Sequence, residues 1–393
     1  MLPAVALGLV AAVHGATVAQ RLPLRLRFND DLQFNRLLFG VLAFAVMQFV
    51  MIPVWGALSD RLGRRRMIGY SLAASIGVSM LGFAPLLRLQ LPQQFVIPLF
   101  SGLATAGLVL SISYCFSLIK DGARNDVLGS ILCGFFGGAI IMLSVRFLSG
   151  AVSAGGMALL NSIILVALAG AAMALVRYGL ADVRPASVSF IGMNALHGLW
   201  HGFGESDRGA RAVWWKIFLG SMGVADGLFV SVLPALGRAV SFGKGAYRVT
   251  VFALIVLLFA AALSSFGVAR WSPGKIAARF LAPVSAGLAI IAALLAGMAG
   301  SPTALYFVMF LAGAATGTSL FTALHQFESA ARNRSAGAEM GAVVAIWFGG
   351  FFAALLLAMS MPQQLQPLPI FLAVGAGLVT LLAGVLTARL PRD

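Results

Sequence analysis

Two ionisable side chains stand inside long apolar runs, where their chemistry reduces to holding a charge or moving a proton. Asp226 lies near the middle of the run from Trp214 to Leu236, with Gly227 directly after it. His14 interrupts the first apolar run of the chain. A carboxyl in such surroundings can shed its charge by taking up a proton, and an imidazole can take or release one at either nitrogen. The structural alternatives are a carboxylate bonded to a neighbouring hydroxyl or arginine, and a histidine bonded to a backbone carbonyl. Two further charges sit nearer the ends of apolar runs. Arg146 is placed to snorkel towards a surface or to bind an anionic solute, and Glu339 to meet the positive end of a helix dipole in a structural or gating role. Neutral polar groups that could line a cavity are Gln48, Tyr114, Asn161, Tyr306 and Trp347.

The elements that must position these groups are membrane helices. The chain is 60% hydrophobic and 10% charged, with a mean hydropathy of +0.97, outside the range of soluble globular domains. A bilayer core about 30 Å thick needs roughly 20 apolar residues per helix. Twelve segments meet that need: 2–20, 37–58, 68–87, 95–119, 128–148, 157–176, 214–236, 249–268, 278–300, 305–324, 338–361 and 368–386. They are apolar all round and rich in Leu, Ala and Gly, without the two-residue alternation of a transmembrane barrel strand. The first segment lacks a basic leader and a small-residue cleavage site, so it reads as a retained span.

The net charge of +15 is explained by topology rather than by nucleic acid. Most of the 27 lysines and arginines fall in intervals that share one side of the membrane if both termini are cytoplasmic. Cys115 and Cys133 both lie inside predicted helices, which implies core packing rather than a disulfide framework.

From Arg177 to Val213 the apolar pattern stops. That interval divides the chain into an N-terminal bundle of six helices (1–176), a cytoplasmic central loop (177–213) and a C-terminal bundle of six (214–393). Two landmarks recur across it at one offset, 211: Gly56 with Gly63 against Gly267 with Gly274, and the small-residue run at Gly102 against that at Gly313. An internal repeat of this kind is a signature of secondary transporters. The same offset carries Asp226 to position 15, next to His14, and so points to a pair on matching helices.

The stretch GALSDRLGRRRM, Gly56 to Met67, is the densest run of charge in the chain. Its pattern G-x-x-x-D-R-x-G-R-R-R between the second and third segments resembles the loop signature of the major facilitator superfamily, and Gly56, Asp60, Arg61, Gly63, Arg64 and Arg65 fill the motif places. The resemblance implies an all-α membrane protein of twelve transmembrane helices in two pseudo-symmetric six-helix bundles. It also implies a gate in which Asp60 faces the start of the eleventh helix near Glu339, while Arg61 or Arg64 reaches Asp121. There are departures. The place of an arginine near the start of the fourth helix in many proton-coupled members is held by Pro98 or its apolar neighbours, and the fifth segment has glycines without the Gly-Pro signature of drug antiporters. Separately, Thr322 to Val343 resembles the same region of bacterial lysophospholipid transporters over one helix junction.

In the central loop His197, His201 and Glu205 recur at helical spacing and could bind a metal, but the surrounding Gly, Trp200 and Phe203 read better as an amphipathic surface helix. No phosphate-binding G-x-x-x-x-G-K loop and no hydrolase or redox constellation is present, so the expectation is a non-enzyme with no cofactor and no metal. The expected function is proton-coupled secondary transport of a small organic or amphipathic solute, with efflux preferred because the lining is apolar. The expected protein is a monomer in a bacterial inner membrane. The alternatives are transport of a lipid, a lysophospholipid or an organic acid, and a non-transporting sensor or assembly partner.

Overall fold

The computed structural model describes residues 2–21, 31–81, 93–148, 154–181, 210–242, 245–271, 275–326, 336–361 and 368–389. All of its regular structure is helical: α1 (Leu2–Arg21), α2 (Asp31–Leu62), α3 (Arg64–Leu81), α4 (Gln93–Thr105), α5 (Leu108–Leu118), α6 (Asp121–Leu148), α7 (Ala154–Gly179), α8 (Ala210–Val240), α9 (Ala246–Trp271), α10 (Lys275–Ala296), α11 (Pro302–Gln326), α12 (Ala336–Ser360) and α13 (Leu368–Arg389). Among the described residues ten spans are long and apolar enough to cross a membrane, and Phe280–Ala296 is a shorter apolar helix. The chain is an all-α, multi-pass membrane protein. Helices are the expected outcome, since a spanning segment without water must satisfy its own backbone groups.

Two compact units divide the chain. One comprises Met1–Leu22, Asn35–Ser206 and Glu328–Ala345, the other Pro23–Phe34, Asp207–Phe327 and Ile346–Asp393. In each, glycines let helices meet backbone to backbone, and equivalent pairs of spans do so. In the first unit Gly15 and Gly138 set α1 against α6, where a Cβ would overlap the carbonyls of Phe135 and Ala12. In the second, Gly223 and Gly227 set α8 against the carbonyls of Trp347 and Phe351 on α12. Gly102 on α4 abuts the Phe44 carbonyl of α2, just as Gly313 and Gly317 on α11 abut the Leu257 and Ala261 carbonyls of α9. Close approach of this kind is how helices associate where lipid is as apolar as their side chains. Side chains then tie the seams: Trp55 Nε1 donates to the Leu103 carbonyl at 2.8 Å, and Ser265 Oγ lies between two carbonyls, 2.7 Å from that of Ala261 on its own helix and 3.2 Å from that of Gly317.

The fourth predicted segment is not one helix. It breaks at Ala106 and Gly107 between α4 and α5, where a Cβ on Gly107 would overlap the side chain of Ser71 on α3. Ala106 and Leu108 are buried in protein, the condition under which irregular backbone is tolerated at membrane depth.

Candidate functional site

Asp226 sits in the interior of α8, buried, with two hydrogen-bond donors on its carboxylate. Thr316 of α11 donates its hydroxyl to Oδ1 at 2.6 Å, and Trp347 of α12 donates its indole N–H to Oδ2 at 3.0 Å. Gly223 and Gly227 bring this side of α8 close enough to α12 for the indole to reach. Trp347 is in turn packed edge-on to Phe348 at 4.8 Å and stacked on Phe351 at 5.7 Å, so its ring is held in place. All of these residues belong to the second unit.

The Thr316 hydroxyl also lies 3.0 Å from the Ala312 carbonyl, one turn back on its own helix. A hydroxyl has one proton and cannot donate it to both acceptors. The two arrangements therefore correspond to two states of the acid. A carboxylate accepts the Thr316 proton; a carboxylic acid donates its own proton to Thr316 Oγ, which then donates to Ala312.

In the first unit the charged motif folds around a sharp turn. Gly63 separates α2 from α3 with a φ of 98°, in the left-handed region that other residues rarely adopt. Asp60 is buried and accepts from the Gly337 backbone N–H at 2.9 Å (Oδ2) and 3.1 Å (Oδ1), which places its carboxylate on the first turn of α12. A helix start offers free N–H groups and a partial positive charge there. Close approach is possible because residue 337 is glycine; a Cβ would overlap the Gly56 carbonyl. Arg64 bridges from Asp60 Oδ1, at 2.8 Å, to the hydroxyl of Ser117 in the last turn of α5. Arg65 donates to the Arg177 carbonyl at the end of α7, and Arg61 is exposed. Arg124, buried in the first turn of α6, donates to the Ile119 carbonyl at 3.0 Å.

The other sequence candidates fall as follows. His14 and Gln48 are fully buried, and neither ring nitrogen of His14 and neither amide atom of Gln48 has a partner among the described residues. His14 lies in the first unit and Asp226 in the second. Tyr114 is buried and donates its hydroxyl to the Ala181 carbonyl at 3.2 Å. Tyr306 stacks edge-on against Phe252. Cys115 is buried, Cys133 half-buried, and both are free. The side chains of Arg146, Asp121 and Glu339, and the whole of His197, His201 and Glu205, lie outside the described residues.

Sequence reasoning missed Thr316. The run GAATGT that contains it was legible as a small-residue packing surface, and it is one; its threonine was the available signal for a polar partner.

Comparison with family models and with curated proteins returns no match. Among solved structures, the chain is similar to the crystal structure of the human organic anion transporter MFSD10 (TETRAN), at 19% identity over 98% of each chain with a TM-score of 0.73. The two chains share one fold over almost their whole length.

Proposed function

We propose that this chain is a secondary active transporter, coupled to protons, that moves a small organic or amphipathic solute by alternating access through two bundles of six spans. The observation that carries the reading is Asp226. A charge at that depth costs at least about 2.5 kcal/mol on insertion scales, so an acid kept there is a functional hypothesis by default. Its partner Thr316 has two acceptors within reach and can follow a proton on and off the carboxyl without breaking the helix. The fold supports transport, since the structure it resembles is described as an organic anion transporter. Asp60, Arg64 and Gly337 form the gate, and the protein works as a monomer with both termini in the cytoplasm, in an inner membrane. Export is preferred over uptake because the candidate lining is apolar. The nature of the neighbour's cargo favours an organic acid as the second reading of the solute.

The test begins with a thermal-stabilisation screen of purified protein against lipids, lipophilic drugs, organic acids and sugars, since a ligand of the folded state raises its melting temperature. The solute found is then followed into proteoliposomes under an imposed pH gradient. Asp226→Asn should abolish gradient-driven accumulation and leave solute exchange at equal pH. Unchanged accumulation in the variant overturns proton coupling through Asp226, and a complete absence of flux with every stabilising solute overturns transport in favour of a sensor or assembly role.

A further inference from the structure

We propose that α11 carries a one-sided proton path from Asp226 towards its C-terminal end, through Thr316, Ser319 and Thr322 to His325. The proposal rests on the reading of Asp226 as a proton carrier.

These four residues recur every third position along α11, with Thr318 the other hydroxyl in the same stretch. Three residues advance about 4.5 Å along the axis and shift about 60° around it, so the series winds half-way round α11 and its hydroxyls need water between them. Thr316, Ser319 and Thr322 are each no more than 3% exposed, so they are not polar groups turned to an aqueous surface. Ser319 donates to Ser285 Oγ on α10 at 2.8 Å, and Ser285 donates onward to the Ala282 carbonyl at 2.9 Å. The Ser319 hydroxyl is thus part of a polar chain and leaves an acceptor lone pair free.

Thr322 supplies the independent sign. Five other buried threonines, Thr17, Thr105, Thr250, Thr380 and Thr387, tie their hydroxyl to the carbonyl four residues back. Thr322 is equally buried, yet its Oγ1 has no partner among the described residues. An unmade hydrogen bond in such a place is costly, and a valine of the same shape would avoid it. A hydroxyl kept there has a use for a mobile partner, and water passing along the helix is one. His325 closes the series in the last turn, stacked on Phe321, with a ring that can take a proton on one nitrogen and release it from the other.

The direction follows from what lies on the other side. Between Leu305 and Ala315 the only polar side chain on α11 is Tyr306. The described titratable side chains on α8 and on the helices packed against it are Lys216 and Arg238 on α8, Tyr247, Arg248 and Arg270 on α9, Tyr306 and His325 on α11, and Arg389 on α13, with none on α10 or α12. None of them is a hydrogen-bond or ion-pair partner of Asp226, whose proton must therefore travel by hydroxyls and water.

The experiment uses the full chain and deuterons as the probe. Purified protein in lipid is transferred into heavy water and the carboxylic C=O band is followed by infrared spectroscopy, with Asp226→Asn identifying the band by its loss. Thr322→Val and Ser319→Ala should each keep the band but slow its hydrogen–deuterium exchange about tenfold, equivalent to about 1.4 kcal/mol in barrier. Thr322→Ser, which restores the hydroxyl, should exchange as the parent does. Exchange unchanged in both hydroxyl-deleting variants, or slowed as much by Thr322→Ser, overturns the path while Asp226 remains a proton carrier. Absence of an Asp226 band at every pH overturns the proton-carrier reading and the path with it.

Discussion

Trp347 donates its indole N–H to Asp226 Oδ2 at 3.0 Å, on the carboxylate oxygen opposite the one that Thr316 holds. Two donors from two helices thus fix a single acid from both sides. Hydrogen bonds to charged groups are worth about 1.5–3 kcal/mol, and a buried donor left without its acceptor costs about 1–3. Trp347→Phe should therefore destabilise the protein by about 1–3 kcal/mol in denaturant unfolding. In an Asp226→Leu background the same change should cost nothing or stabilise, because the indole N–H there has already lost its acceptor. Equal costs in the two backgrounds would show that the bond contributes no coupling.

Thr316 gives a sharper separation of role from packing. Thr316→Ser keeps the hydroxyl that alternates between Asp226 and Ala312, whereas Thr316→Val keeps the shape and removes it. Gradient-driven flux in proteoliposomes should survive in the serine variant and fall by about tenfold or more in the valine variant, the effect of about 1.4 kcal/mol or more in barrier. A valine variant that accumulates solute at the parental rate refutes the relay.

Asp60 spends both carboxylate oxygens on one backbone N–H and shares one of them with Arg64. Asparagine has only one acceptor and turns an NH₂ group towards one of these donors. Asp60→Asn should reduce the maximum transport rate, with the solute dissociation constant moving by less than about twofold, because in the proposed gate the lost contact serves a conformational step rather than binding. A dissociation constant that changes as much as the rate removes Asp60 from the gate.

Neighbouring glycines on α6 provide a matched pair. A Cβ at Gly138 would overlap the Ala12 carbonyl, while one at Gly137 meets nothing within 4 Å. Gly138→Ala should destabilise by about 1–3 kcal/mol or prevent accumulation of folded protein, as overpacking does. Gly137→Ala should stay within about 0.5 kcal/mol of the parent. Thermal unfolding of the two variants in the same detergent decides it.

Much of this architecture was legible in the residues themselves. Apolar runs of the right length gave helices, since hydropathy and length decide spans almost alone. The glycine pattern gave the loop, because only glycine tolerates the φ that Gly63 adopts. Asp226 was legible because a carboxyl is conspicuous in an apolar run. Its partners were not, because Thr316 is 90 residues away in sequence and Trp347 121, and periodicity on one helix says nothing about which neighbour it faces. The break at Gly107 was hidden for the same reason: its cause is Ser71 on another helix, and the hydropathy of the segment runs on without interruption. Tyr114 was read as a cavity residue from its type, but its hydroxyl is occupied by a backbone carbonyl.

At the glycine contacts between α1 and α6, α2 and α4, α8 and α12, and α9 and α11, the backbone of one helix meets that of the other directly. A contact of backbone on backbone has few rotamers to repack. Each of these pairs is in effect a welded beam, and any large motion has to carry its two helices as one piece. In the first unit the interrupted fourth span is held in the same way, since its turn is itself bonded, Ala106 N–H to the Gly102 carbonyl and Gly107 N–H to that of Ala104, and so ties α5 to α4.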